Sequence, residues 1–193
     1  MVDRFEEAYL AGSAPWDIGR AQPCFAQLVE AGRISGRVID LGCGTGENAL
    51  HFARAGLDVL GVDGSPEAIR QARAKAAGPG PPVTFEVADL LDLGGDADRF
   101  DTATDSGVFH VFDDVDRPRY TTSVHRVLRP GGRLFILCFS ERQPGDWGPR
   151  RVTQPELREA FTDGWTVDSI DAARFTTLAN GLVEAWLAAI TRR

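Results

Sequence analysis

From about Arg37 onward, short unbroken apolar runs alternate with stretches in which apolar residues return every three or four positions. An unbroken run of strand length fits a strand covered on both faces, and the longer spacing fits a helix resting one side on a core. The alternation therefore predicts βαβ units around a mostly parallel sheet with helices on both faces, an α/β fold. Predicted strands cover 37–41, 58–62, 83–87, 100–105 and 133–139. Helices are predicted over about 47–55, 117–128 and 154–161, with another behind Ser65 and Pro66 that carries Ile69, Ala72 and Ala76 on one face. Ser65 suits an N-cap, Pro66 a first helical turn, and Gly56 the left-handed residue that ends a helix. The run Gly78-Pro79-Gly80-Pro81-Pro82 admits only a loop. Apolar stretches at 165–170 and 182–190 around an Asn180-Gly181 turn predict a closing antiparallel hairpin. Ahead of the first strand, 3–10 and 23–31 are short helical candidates placed to pack over the ligand-binding end of the sheet.

With 193 residues, the chain has room for one domain with a sizeable core. Residues 1–35 read as a helical cap, 36–140 as the core, and 141–193 as a loop, a helix and the hairpin. A net charge of -7 lacks the positive field that tracks phosphate backbones, so nucleic acid is not expected as a partner. Acids among the first twenty residues, and the lack of a long apolar run there, argue against a signal peptide or membrane span and for a cytoplasmic protein; a monomer or homodimer is expected, with nothing in the sequence to choose between them. Cys24, Cys43 and Cys138 lie far apart with no CxxC pair, which reads as packed thiols and no metal.

The loop after the first predicted strand is Gly42-Cys43-Gly44-Thr45-Gly46. In open α/β sheets this loop borders the ligand crevice. A dinucleotide frame wants a third glycine at position 47, where Glu47 would instead face the pyrophosphate with a negative charge. S-adenosylmethionine has the opposite electrostatics, carrying an ammonium and a sulfonium and no phosphate. Acids then become useful at three successive strand ends: Asp40 toward the ammonium, Asp63 toward the ribose hydroxyls, and Asp89 toward the adenine amino group. Ala88 and Leu90 would wall the ring. Turn and cap duties are the plain alternative for all three acids.

Together, Val38-Ile39-Asp40-Leu41-Gly42-Cys43-Gly44-Thr45-Gly46, Gly61-Val62-Asp63, Ala88-Asp89 and Leu128-Arg129-Pro130-Gly131-Gly132-Arg133-Leu134 resemble the motifs of class I S-adenosylmethionine-dependent methyltransferases. The resemblance implies a Rossmann-like seven-stranded sheet whose last strand is antiparallel. It also implies S-adenosylmethionine as cofactor, S-adenosylhomocysteine as product and a small-molecule methyl acceptor as partner. Cys43, Gly64 and Asp105 join the cofactor-binding set on the same ground. Ala14-Pro15-Trp16-Asp17 through Pro23 resembles the entrance segment of the thiopurine, thiol and halide branch, which implies that Trp16 lies against the cofactor; simple packing on the sheet edge is the alternative.

The fourth strand runs into Asp105-Ser106-Gly107-Val108-Phe109-His110-Val111-Phe112, where class I enzymes present the acceptor. Ser106, Phe109 and Phe112 suit a flat or apolar acceptor. The segment lacks the Pro-Pro-aromatic pattern that holds a flipped base. His110 is the candidate general base, unless it only bonds nearby backbone. Asp113, Asp114 and Asp116 read as caps of the following helix in preference to metal ligands. Trp147, Arg150 and Arg151 form a loop that either folds over the pocket to receive an anionic group or stays solvated. A nicotinamide oxidoreductase and a non-catalytic binder of the same donor are the competing functions.

Overall fold

The computed structural model describes residues 2–193. Helices α1 (Val2–Leu10) and α2 (Pro23–Glu30) precede β1 (Arg37–Leu41), α3 (Glu47–Arg54), β2 (Asp58–Asp63), α4 (Pro66–Ala76) and β3 (Thr84–Val87). Strand β4 (Phe100–Ser106), a short 3-10 turn (Phe109–Val111), α5 (Asp116–Val127), β5 (Leu128–Phe139), α6 (Gln154–Ala160), β6 (Trp165–Thr177) and β7 (Gly181–Arg192) follow. The seven strands form one sheet in the order β3-β2-β1-β4-β5-β7-β6. Pairings among β1 to β5 are parallel, and β7 runs antiparallel to both β5 and β6. The Rossmann-like sheet with an antiparallel last strand is therefore present.

Alternation along the strands feeds two cores. Val38 on one face of β1 packs with Phe25, Phe52 and Ile69, while Ile39 and Leu41 on the other pack with Tyr120, Val124 and Leu157. Helices thus cover both faces, α2 to α4 on one and α5 and α6 on the other.

The hairpin departs from its sequence reading. Its first strand extends well past 165–170, because the added residues 171–177 lie on a partly exposed edge strand and carry no apolar run, while its second, Gly181–Arg192, closely matches 182–190. Gly181, at φ 64°, closes a three-residue turn over 178–180. This tip is tied to the segment between α1 and α2: Leu178 N–H donates to the Pro15 carbonyl at 2.8 Å. The buried Gln22 side chain donates to the Thr176 carbonyl at 2.9 Å and accepts from Thr176 N–H at 3.0 Å. The winding direction reverses between β1 and β4, so the crevice opens at their carboxyl ends.

Candidate active site

A cavity of about 820 Å³ lies over the carboxyl ends of β1, β2, β4 and β5, roofed by α1 and the tip of the hairpin. Its first half is built on the glycine loop. Gly44 has φ 55°, and a side chain there would stand 2.7 Å from the Tyr9 hydroxyl, so the close approach of α1 requires glycine. Asp63, at the end of β2, accepts from Gly44 N–H at 2.9 Å through Oδ2 and from Ser65 N–H at 2.8 Å through Oδ1. An ionised carboxylate offers about four lone pairs, so about two remain toward the cavity. Burial raises its pKa against these backbone bonds. Gly42, Gly64, Ala88, Leu90 and Asp89 also line this half. Asp89 is exposed and closes its own turn by accepting from Leu91 N–H at 2.9 Å.

Asp40 does not reach the cavity surface. It is 1% exposed, with Oδ1 accepting from the Thr104 hydroxyl at 2.7 Å and Oδ2 left without a partner. Burial, with the neighbouring Asp105 and Asp63 charges adding to it, pushes its pKa up to about 7. A buried carboxylate oxygen lacking a donor is an incomplete site, of the kind a cationic ligand or an ordered water would fill. That oxygen and the spare lone pairs of Asp63 fit S-adenosylmethionine.

Trp16 lines the cavity with its ring edge-on to Phe5 and Tyr9, at centroid separations of 5.4 and 5.9 Å. Its Nε1 donates to the Tyr9 hydroxyl at 2.8 Å. Asp17 holds the segment to the glycine loop by accepting from the Thr45 hydroxyl at 2.7 Å. Lys75 donates to Thr45 and to Glu47, both at 2.6 Å. Phe5 and Tyr9 are not legible in the sequence, because a nine-residue amphipathic helix reveals its apolar face but not that this face meets a ligand. Cys43 is buried beneath the loop, where its thiol bonds the Gly44 carbonyl and burial raises its pKa, so the side chain is outside the cavity lining.

The second half is aromatic. Ser106, His110, Phe112, Phe139, Trp147 and Phe175 line it. The rings of His110, Phe139 and Phe175 pack at 5.0 to 6.1 Å, and Trp147 stands edge-on to Phe139 at 6.0 Å. Phe139 was legible as the last residue of a strand; Phe175 was hidden by the unread extension of β6.

Besides Asp40, Cys43 and Gly44, three more expected residues are absent from the cavity lining. Asp105 is fully buried, and its carboxylate accepts from Val108 and Phe109 N–H at 2.8 and 3.0 Å and from the Tyr120 hydroxyl at 2.6 Å. It shapes the 3-10 turn from below. Phe109 points into the core against Tyr120 and Phe161 under the Arg117 guanidinium, because the turn aims alternate side chains away from the crevice. Arg151 spends its guanidinium on the carbonyls of its own loop and is absent from the lining.

His110 is also unsuited to act as a base. Its Nδ1 accepts from Phe139 N–H at 3.0 Å, which puts the ring proton on Nε2 beside Gly107. Both nitrogens are then committed. Burial, aided by the Arg151 charge, pushes the pKa down to about 3. Among the described residues, no cluster of three His, Cys, Asp or Glu side chains is placed to hold a metal ion, and no helix is long and apolar enough to cross a membrane.

A family model described as a methyltransferase domain matches residues 38–132. The chain is 40% identical over 191 residues to 2-heptyl-1-hydroxyquinolin-4(1H)-one methyltransferase of Mycobacteroides abscessus, covering 94% of this chain and 83% of that one. The chain belongs to the class I S-adenosylmethionine-dependent methyltransferases. The Arabidopsis thaliana protein "Probable thiol methyltransferase 2" is 32% identical over 159 residues, covering 81% of this methyltransferase and 70% of its relative, in keeping with the entrance segment's resemblance. A solved structure from work on the conversion of a disulfide bond into a thioacetal group during echinomycin biosynthesis superposes with a TM-score of 0.91 at 39% identity, covering 100% of the methyltransferase and 93% of that chain. S-adenosylmethionine is the methyl donor and a small molecule the acceptor.

Proposed function

We propose that this methyltransferase acts on a flat, largely apolar acceptor whose nucleophilic atom is already ionised at neutral pH, an acidic N-hydroxy heteroaromatic or an acidic aryl thiol. The observation that carries this reading is the Phe139 N–H bond to His110 Nδ1, which leaves the one histidine among the described residues lining the cavity without a lone pair to take a proton. The ring-lined half suits a planar molecule, and the relative that acts on a hydroxyquinolone supports the heteroaromatic class.

When bound, S-adenosylmethionine supplies an electrophilic methyl group on a sulfonium. Asp63 would hold the ribose hydroxyls, Asp89 with Ala88 and Leu90 the adenine, and Asp40 Oδ2, set back from the cavity surface, the ammonium through an ordered water. The Tyr9 hydroxyl accepts from Trp16, so its own hydrogen remains for the carboxylate beside Gly44. Trp16 and the aromatic half exclude water. Holding the reacting atoms about 3 to 3.5 Å apart and aligned accounts for roughly 7–11 kcal/mol of barrier in well-oriented reactions, without covalent help from the protein.

An acceptor screen reading S-adenosylhomocysteine formation tests the proposal. Acidic aryl thiols and N-hydroxyquinolones should turn over, and phenols and alkyl thiols, both protonated at neutral pH, should not. Phenol methylation as fast as that of an N-hydroxy compound of similar shape would refute it.

A further inference from the structure

The loop between β5 and α6 is closed at its neck: Val152 N–H donates to the Phe139 carbonyl at 2.9 Å and Glu141 N–H to the Val152 carbonyl at 3.2 Å. Inside it, Arg151 Nε donates to the Gln143 carbonyl at 3.2 Å and Nη1 to the Pro149 carbonyl at 2.7 Å. Nη2 reaches the Gly145 and Trp147 carbonyls at 3.3 and 2.8 Å. The same guanidinium lies 5.4 Å from the centre of the Phe139 ring and 5.2 Å from that of Trp147. Gly145 permits the arrangement, since a side chain there would stand 3.0 Å from the indole. From outside, the Gln143 side chain accepts from Glu184 N–H at 2.8 Å and anchors the loop to β7.

We propose that Arg151 is a positioning residue that sets acceptor specificity: it gathers the carbonyls of residues 143–149 and fixes Trp147 against Phe139 as the outer wall of the aromatic half. The proposal rests on the reading that this half receives the acceptor. Arginine is needed because only a planar fork bonds four carbonyls in fixed directions while its central carbon lies over two rings; an ammonium is a point donor without that plane. A receptor for an anionic acceptor group, by contrast, would keep its N–H groups for the ligand.

The test uses full-length Arg151→Lys, Arg151→Met and Trp147→Ala proteins, with S-adenosylhomocysteine affinity as the measure of an intact fold and donor half. Both Arg151 variants should raise KM for 1-hydroxyquinolin-4(1H)-one about tenfold, as Trp147→Ala does, in line with losing charge-assisted bonds that hold the wall. Their kcat and S-adenosylhomocysteine affinity should stay within about twofold, and kcat/KM for hydrosulfide, ionised near neutral pH and too small to need the wall, should not change. Hydrogen exchange at residues 143–149 should accelerate in both. A lysine variant with wild-type KM or wild-type exchange overturns the positioning role, because charge alone would then suffice. Equal damage to both acceptors overturns the specificity role. Accelerated exchange in the variants of a wild type that methylates hydrosulfide but not the quinolone would instead sink the reading of where the acceptor binds.

Discussion

Asp63 carries the most direct evidence at the level of single residues, since two backbone N–H groups aim its carboxylate at the cavity. Replacing it with alanine should weaken S-adenosylhomocysteine binding at least about tenfold in calorimetry, the loss typical of hydrogen bonds to a charged group; an unchanged affinity would remove it from the ribose. Asp40 and His110 are buried titratable groups of opposite behaviour. The folded Asp40 carboxyl, up to about 7, holds a proton that the unfolded chain gives up near pH 4. The stability it contributes is therefore full below about pH 4 and lost as pH rises through about 7. His110, down to about 3, refuses a proton that the unfolded chain accepts near pH 6.5, so its contribution is full above about pH 6.5 and lost as pH falls. A ligand ammonium favours ionised Asp40. Donor binding near pH 6.5 should then release a proton, seen as a dependence of calorimetric heat on buffer ionisation enthalpy, and Asp40→Asn should abolish it. Buffer-independent heat in the wild type would place the ammonium elsewhere. The acids at the strand ends were legible because spacing puts Asp40 and Asp63 at the edges of apolar runs. The commitment of both His110 nitrogens was not, because it depends on a backbone group 29 residues away.

At the level of elements, the central strands and helices were readable because each is bounded by a local signal: an unbroken apolar run, the Ser65-Pro66 cap, or a glycine turn. The capping box at α6, where Thr153 accepts from Glu156 N–H, has the same local origin. The outer half of β6 has no such signal, since an edge strand is specified by its pairing with β7 and not by burial. That extension brings Phe175 to the cavity and Thr176 to Gln22, joining the acceptor wall to the segment that carries Trp16. Gln22→Ala leaves both backbone groups of Thr176 without their partner. It should lower stability by about 1–3 kcal/mol, a melting temperature lower by several degrees in a thermal scan. An unshifted transition would mean that the Pro15 to Leu178 bond alone holds the tip.

In the whole molecule, donor and acceptor halves meet in one cavity because the winding of the sheet reverses between β1 and β4, while α1 and the hairpin, from opposite ends of the chain, roof the same crevice. The fold could be foreseen from periodicity, and the donor half from strand-end acids. The acceptor half could be foreseen only in part, since it is assembled from β4, β5, β6 and a loop whose conformation is set by one guanidinium. A site that orients its reactants and takes no proton makes the acceptor's own acidity the limit on the reaction. The pH dependence of kcat/KM across N-hydroxyquinolones and thiols of graded acidity tests this most directly. The midpoint should follow the pKa of each acceptor and remain in place in His110→Gln; one midpoint shared by all acceptors and displaced by that substitution would contradict the account.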